Sequence, residues 1–301
     1  MAKAAALWNL TSQSTKAADA AFDIVGVRFS VPCATRWNSY CSSVKKIILC
    51  DEKKLTEVCK AVGLPPFIQS DLAFLKEYVS VMAPLATSLD ILQGEQQCTL
   101  GYVLPTLSTL KKKLNIIDLK YTQPLCDSLL QGISKRFEAV FNDKEFLMAA
   151  ITYPRFKLSW TDDADMRACG TQQLESALAA SVMSGSDDTD NKGQEQTIEQ
   201  LSAGDDFFDF DNCQPDHEQK HLAFLNDKGK ELSMLYRHVE IKQLFLRYNT
   251  TLPSSAPVER LFSAGALILT KKRNRLSDEL FETLLLLKVN KTFTVDHRAG
   301  K

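Results

Sequence analysis

The stretch SSAPVERLFSAGALILTKKRNRLS, residues 254–277, decides how the chain reads. Ser254 or Ser255 suits a helix N-cap, and Pro257 is tolerated in the first turn. Val258, Leu261, Phe262, Gly265 and Leu269 then form one apolar stripe at helical spacing. Gly265 within it predicts close approach of another backbone. Glu259 sets a carboxylate into this helix, either as a first-turn charge that complements the helix dipole or as part of a site. The basic run KKRNR, 271–275, follows at the helix C-terminal end, where positive charge is favoured. It reads equally as a solvated turn or as a phosphate-contacting or nuclear-targeting run. Ser277 is placed to cap the next helix, with Asp278 and Glu279 in its first turn. Leu280, Leu284, Leu285, Leu286, Leu287 and Val289 leave that helix apolar almost all round. Such a helix needs burial on several sides, part of it against a second subunit.

Upstream, apolar residues recur at steps of three and four. Asp71–Leu92 carries Leu72, Leu75, Val79, Met82, Leu85 and Leu89, and predicts a long amphipathic helix kinked at Pro84. Residues 100–117 and 124–141 repeat the pattern, and 146–151 predicts a shorter helix stopped near Pro154. These make an N-terminal helical bundle over residues 1–160. Val27, Phe29 and Val31 alternate, which predicts a short extended piece before Pro32. The periodicity fades from about residue 162, and 161–218 reads as an acidic, disordered linker. Between Ser184 and Glu218 there are 11 acidic residues and one Lys. Helical periodicity returns over 219–301, a part with 15 Lys or Arg against 8 Asp or Glu, broken near Gly229. The expected class is mainly α.

Composition narrows function. The chain has 301 residues, 45% of them hydrophobic, enough for a sizeable core, and a net charge of -1 that argues against a uniformly nucleic-acid-coating protein. Eight scattered Cys without a CxxC predict reduced thiols rather than a disulfide framework or zinc ribbon. Cys213, His217 and His221, four apart, form a weak metal-ligand pattern that lacks an evident fourth ligand. No run of ~18 apolar residues predicts a membrane span, no Gly-rich phosphate loop or nucleophile elbow occurs, and no small-molecule substrate is expected.

The Ser-Ala, Glu-Arg, Phe-Ser, Lys-Arg-Asn-Arg-Leu and Leu-rich features of 254–290 resemble the C-terminal dimerisation region of hAT-family transposases. CATRWNSY, 33–40, resembles the Arg-Trp motif of that family, and PRFKLSW, 154–160, is similar to a segment of its relatives with BED-type zinc fingers. The likeness runs from about residue 1 to 295. It implies a helical insertion domain, followed by the end of an RNase H-like core whose strands are mostly missing. In the family two Asp and one Glu hold divalent ions for phosphoryl transfer. Glu259 matches the third carboxylate, and Trp37 matches the Trp that assists strand cleavage. Only Asp19 and Asp23 precede Trp37, and neither lies in a strand-like run. The resemblance therefore implies a truncated or domesticated, non-enzymatic protein with a homodimer or a related hAT-type protein as partner. Leu261, Phe262, Leu284 and Leu287 are its expected contact residues. DNA contact through Lys271, Lys272, Arg273 and Arg275 and a nuclear location are implied as well. No cofactor is expected, with Mg or Mn entering only where another chain completes the catalytic set.

Overall fold

A computed structural model describes residues 1–33, 36–94, 99–183, 217–270, 273 and 275–290. Among these the protein is mainly helical and has no strand. The first five helices are α1 (Ala2–Gln13), α2 (Thr15–Val25), α3 (Trp37–Ile48), α4 (Glu52–Ala61) and α5 (Gln69–Leu92). A 3-10 turn, Leu100–Tyr102, leads into α6 (Val103–Asn115), α7 (Gln123–Phe141), α8 (Lys144–Thr152) and α9 (Ala164–Met183). Then come α10 (His217–Asn226), a second 3-10 turn (Leu232–Arg237), α11 (Val239–Asn249), α12 (Ala256–Ala266) and α13 (Asp278–Val289).

Local chemistry fixes the ends of these helices. Ser14 accepts from the Ala17 amide, Asp51 from Lys53 and Lys54, and Asp143 from Glu145. Gly26 closes α2 at φ 70°, a left-handed value that costs glycine little. Glu77, projecting from α5, accepts the backbone N–H groups of Lys120, Tyr121 and Thr122, and so bolts the start of α7 to α5. Burial pushes its carboxyl up, but those combined amide bonds hold it below the usual range.

Three apolar clusters follow one another along the chain. Leu7, Trp8, Val44, Ile47, Leu55 and Leu75 gather α1–α5 into the first. Val81, Leu107, Leu110, Leu114 and Ile133 join α5, α6 and α7 in the second. In the third, Leu104 meets Met148 and Ile151 of α8, Leu174 and Leu178 of α9, Phe224 of α10, and Ile241 and Leu244 of α11. α5 supplies residues to the first two clusters and α6 to the last two, so these helices act as shared walls.

Two expectations are corrected. Residues 164–183 are helical rather than linker: Asp163 caps α9 by accepting from Asp165 and Met166. Leu174 and Leu178 are fully buried, and a Cβ at Gly170 would lie 2.7 Å from Ile151 Cδ1. Few apolar positions suffice there because small residues let α9 lie close on α8. The rest of the expected linker, 184–216, lies outside the described residues. Second, α10 and α11 do not belong to a separate C-terminal unit, since they share the third cluster with α8. Residues 27–33 belong to no helix or strand; Phe29 is buried, and Ser43 and Lys46 of α3 donate to the Ser30 and Arg28 carbonyls. α5 meanwhile runs unbroken through Pro84.

The third cluster contains one buried polar hub. Asn249 Nδ2 donates to the Ala149 carbonyl at 3.0 Å and to Thr152 Oγ1 at 3.2 Å. Its Oδ1 accepts from the Gly101 amide at 3.0 Å and from the Thr99 hydroxyl at 2.6 Å. One side chain thus joins α8, α11 and the turn before α6. Gly101 must be glycine here, because an added Cβ would stand 2.5 Å from the Ala149 oxygen. Asn249→Leu strands the Gly101 amide and is expected to cost about 3 kcal/mol in urea unfolding, against about 1 kcal/mol for Thr99→Val.

A second polar junction pins the segment after α10. Lys157, 8% exposed and at φ 49°, donates its ammonium to the Asp227 carbonyl and lies 5.0 Å from the Phe224 ring centroid. Burial pulls its pKa down, opposed by Asp227 and aided by Arg237. The Asp227 carboxylate accepts from the Gly229 amide at 2.8 Å and meets Arg237 at 2.9 Å and His238 at 3.2 Å. The Gly229 amide and the bond to His238, partly offset by desolvation, hold Asp227 below its ordinary value of 3.8. A depressed carboxyl contributes stability that is present above the unfolded pKa and lost as pH falls through the folded one. Acid unfolding of Asp227→Asn is expected to show a shallower loss of stability below about pH 4 than the parent protein.

Candidate interaction surface

α12 and α13 stand apart from all three clusters. Among the described residues the start of α12 is tied to the body by polar anchors. Ser254 donates to the Leu92 carbonyl at 3.0 Å, and Arg260 to the Gln93 carbonyl at 2.7 Å. Just before them, the Leu100 amide donates to the Thr251 carbonyl. Ser277 caps α13 as its sequence predicts, accepting from Leu280. Ser255 does not cap α12; its hydroxyl donates instead to Glu259 Oε1 at 2.7 Å.

The two helices close on each other through a narrow seam. Gly265 is buried, and a Cβ there would lie 3.1 Å from Phe281 Cζ. The stripe glycine therefore admits a ring and the nearby Leu285 side chain, and not a second backbone. Ile268 is the other buried apolar residue of the hairpin. α13 buries no residue.

The hairpin leaves many large apolar side chains exposed. Phe262 is 72% exposed and Leu267 69%, and Val258, Leu261 and Leu269 are exposed beside them. On α13 Leu280, Leu286, Leu287 and Val289 are exposed as well. Of the expected contact residues, Leu261, Phe262 and Leu287 face outward, and Leu284 is half-buried. Arg273 and Arg275 are exposed; Lys271 and Lys272 lie outside the described residues.

Glu259 sits on the exposed first turn of α12. Trp37 opens α3, whose next residue, Asn38, donates to Asp90 Oδ1 at 2.7 Å and reaches the Ala86 carbonyl. Asn38 and Arg260 thus grip the last two turns of α5 and the residue after it, so the Arg-Trp and Glu-Arg segments converge on one helix end. Among the described residues no group of three or more His, Cys, Asp or Glu side chains could hold a metal ion. Cys213 of the weak zinc pattern lies outside the described residues, and His221 is buried in α10.

The sequence reading missed one concave region. Turn 153–160 and the segment after α10 enclose a depression lined by Tyr102, Tyr153, Arg155 and Lys230 among others. Its signal in the sequence is the cations and aromatics of PRFKLSW, 154–160. No helix among the described residues is long and apolar enough to cross a membrane. No protein-family model matches the chain, and no curated protein matches its sequence.

The seam makes a sharp prediction. Gly265→Val sets branched carbon against Phe281 and is expected to open the hairpin at a cost of roughly 1–3 kcal/mol. Hydrogen exchange should accelerate in 256–266 and 278–289 while melting of the main body stays unchanged, because the hairpin shares no cluster with it.

Proposed function

We propose that the chain is a protein-association module of hAT-transposase type, non-enzymatic and nuclear, whose α12–α13 hairpin docks on the same hairpin of a second copy or on a related hAT-type protein. The observation that carries this reading is the pair of helices that leaves many large apolar side chains exposed around one internal seam. An amphipathic helix gains its stability from burying its apolar stripe. Here Val258, Leu261, Phe262 and Leu269 of that stripe stay exposed. Full burial of side chains such as Phe262, Leu267 and Leu287 against a partner contributes roughly 1.5–3 kcal/mol each before association costs are met. A two-fold pairing presents the same patch from both sides and leaves no unmatched surface to drive further growth. Exposed patches of this kind are a recognised mark of interfaces.

Light scattering across a concentration series tests the proposal. The expected result is a dimer that Phe262→Asp with Leu287→Asp converts to a folded monomer, and that Glu259→Gln leaves intact. A folded monomer at every concentration overturns it.

A second reading rests on the convergence of the Trp37 and Glu259 segments at the end of α5. In it the chain contributes these residues to metal-dependent DNA strand cleavage with another polypeptide. Nicking with Mg or Mn that disappears in Glu259→Gln would favour that reading; Arg273 and Arg275 would then contact DNA.

A further inference from the structure

The depression between turn 153–160 and residues 230–233 is a concavity of the main body. Its volume is about 750 Å³, within the range that small ligands fill. Its floor is aromatic. Tyr102 packs edge-on to Tyr153, with centroids 5.1 Å apart, and to Phe156 at 4.8 Å. Tyr153 is buried, while Tyr102 and Phe156 are half-buried and so keep part of each ring available. Arg155 and Lys230 both line the depression and are exposed. Neither makes a hydrogen bond or ion pair with another described residue, and Glu231 and Ser233 of the same wall likewise keep their side-chain oxygens free among the described residues.

The walls are pre-set. Phe156 and Lys157 both donate backbone amides to the Tyr153 carbonyl, and Trp160 Nε1 donates to the Lys157 carbonyl. Lys157 then ties this turn to the Asp227 carbonyl on the facing wall. Asp227 in turn bonds Gly229 and Arg237, which hold the loop leading to Lys230. A ligand would find the rims already in register, which lowers the ordering cost of binding.

We propose that this depression binds a nucleoside phosphate. The base lies against Tyr102 and Phe156, the phosphate against Arg155 and Lys230, and a ribose hydroxyl within reach of Glu231 or Ser233. Three features select that class. Aromatic faces favour a flat π-system. Two unpaired cations favour a multiply charged anion, and a guanidinium matches phosphate geometry in particular. A free carboxylate on the same wall favours a ligand that also carries hydroxyl donors, as a ribose does.

The test is calorimetric titration of the full chain with ADP, adenosine, inorganic phosphate and an eight-nucleotide oligothymidylate. ADP is expected to saturate one site, with adenosine and phosphate each at least about tenfold weaker. Arg155→Ala with Lys230→Ala should weaken ADP by about tenfold or more at an unchanged melting temperature. Tyr102→Leu should also weaken it, while Lys228→Ala, a neighbouring exposed cation outside this lining, should not. The proposal is overturned if ADP shows no saturable binding, or if phosphate alone binds as tightly. It is overturned too if Lys228→Ala weakens ADP as much as the Arg155 and Lys230 pair does. Binding of the oligonucleotide without ADP would assign the surface to a polynucleotide instead and equally overturn it.

Discussion

The structure depends on the four hydrogen bonds of Asn249. α11 comes late in the chain, about a hundred residues after α8, and apolar contact alone would let it slide or rotate on α8. A buried amide removes that freedom, because only one placement satisfies both its donors and both its acceptors. The same bonds explain why Gly101 lies where it does: the backbone must come close enough for its amide to reach Asn249, and a side chain would block it. The Lys157–Asp227 junction does similar work at the other side of the cluster, with α10 and the following turn held by a cation and a carboxylate.

This arrangement separates the part of the chain that is self-sufficient from the part that is not. α1–α11 bury their apolar faces on one another through three connected clusters. α12 and α13 hold each other through Gly265 and Phe281, and are moored to the body by polar groups at one end. A helical hairpin fastened in this way keeps its apolar face available, which is the property an association element needs. The depression at Arg155 lies within the self-sufficient part, so the two proposed sites are structurally independent.

The answer to the question raised by Glu259 comes from its neighbours. Its partner is the Ser255 hydroxyl in the same helical turn, and it is exposed. As a first-turn carboxylate it favours the positive end of the α12 dipole, whatever its ancestry. The convergence of its segment with that of Trp37 on α5 is a fact of tertiary structure that local sequence does not contain.

Sequence by itself determined the helical class and most element positions. The three- and four-residue recurrences over 71–92 and 124–141 matched α5 and α7 within two residues, because an apolar stripe at that period has one helical solution. It also determined the caps at Ser277 and the break near Gly229, since both follow from local hydrogen bonding. α9 escaped notice because two buried leucines and small residues are enough when the neighbouring helix lies close, and closeness is not a local property. The membership of α10 and α11 in the α8 cluster, the Asn249 hub and the depression beneath Arg155 were decided only by tertiary structure. Each depends on groups 50 to 150 residues apart meeting, and periodicity records which face a residue occupies but not what that face meets.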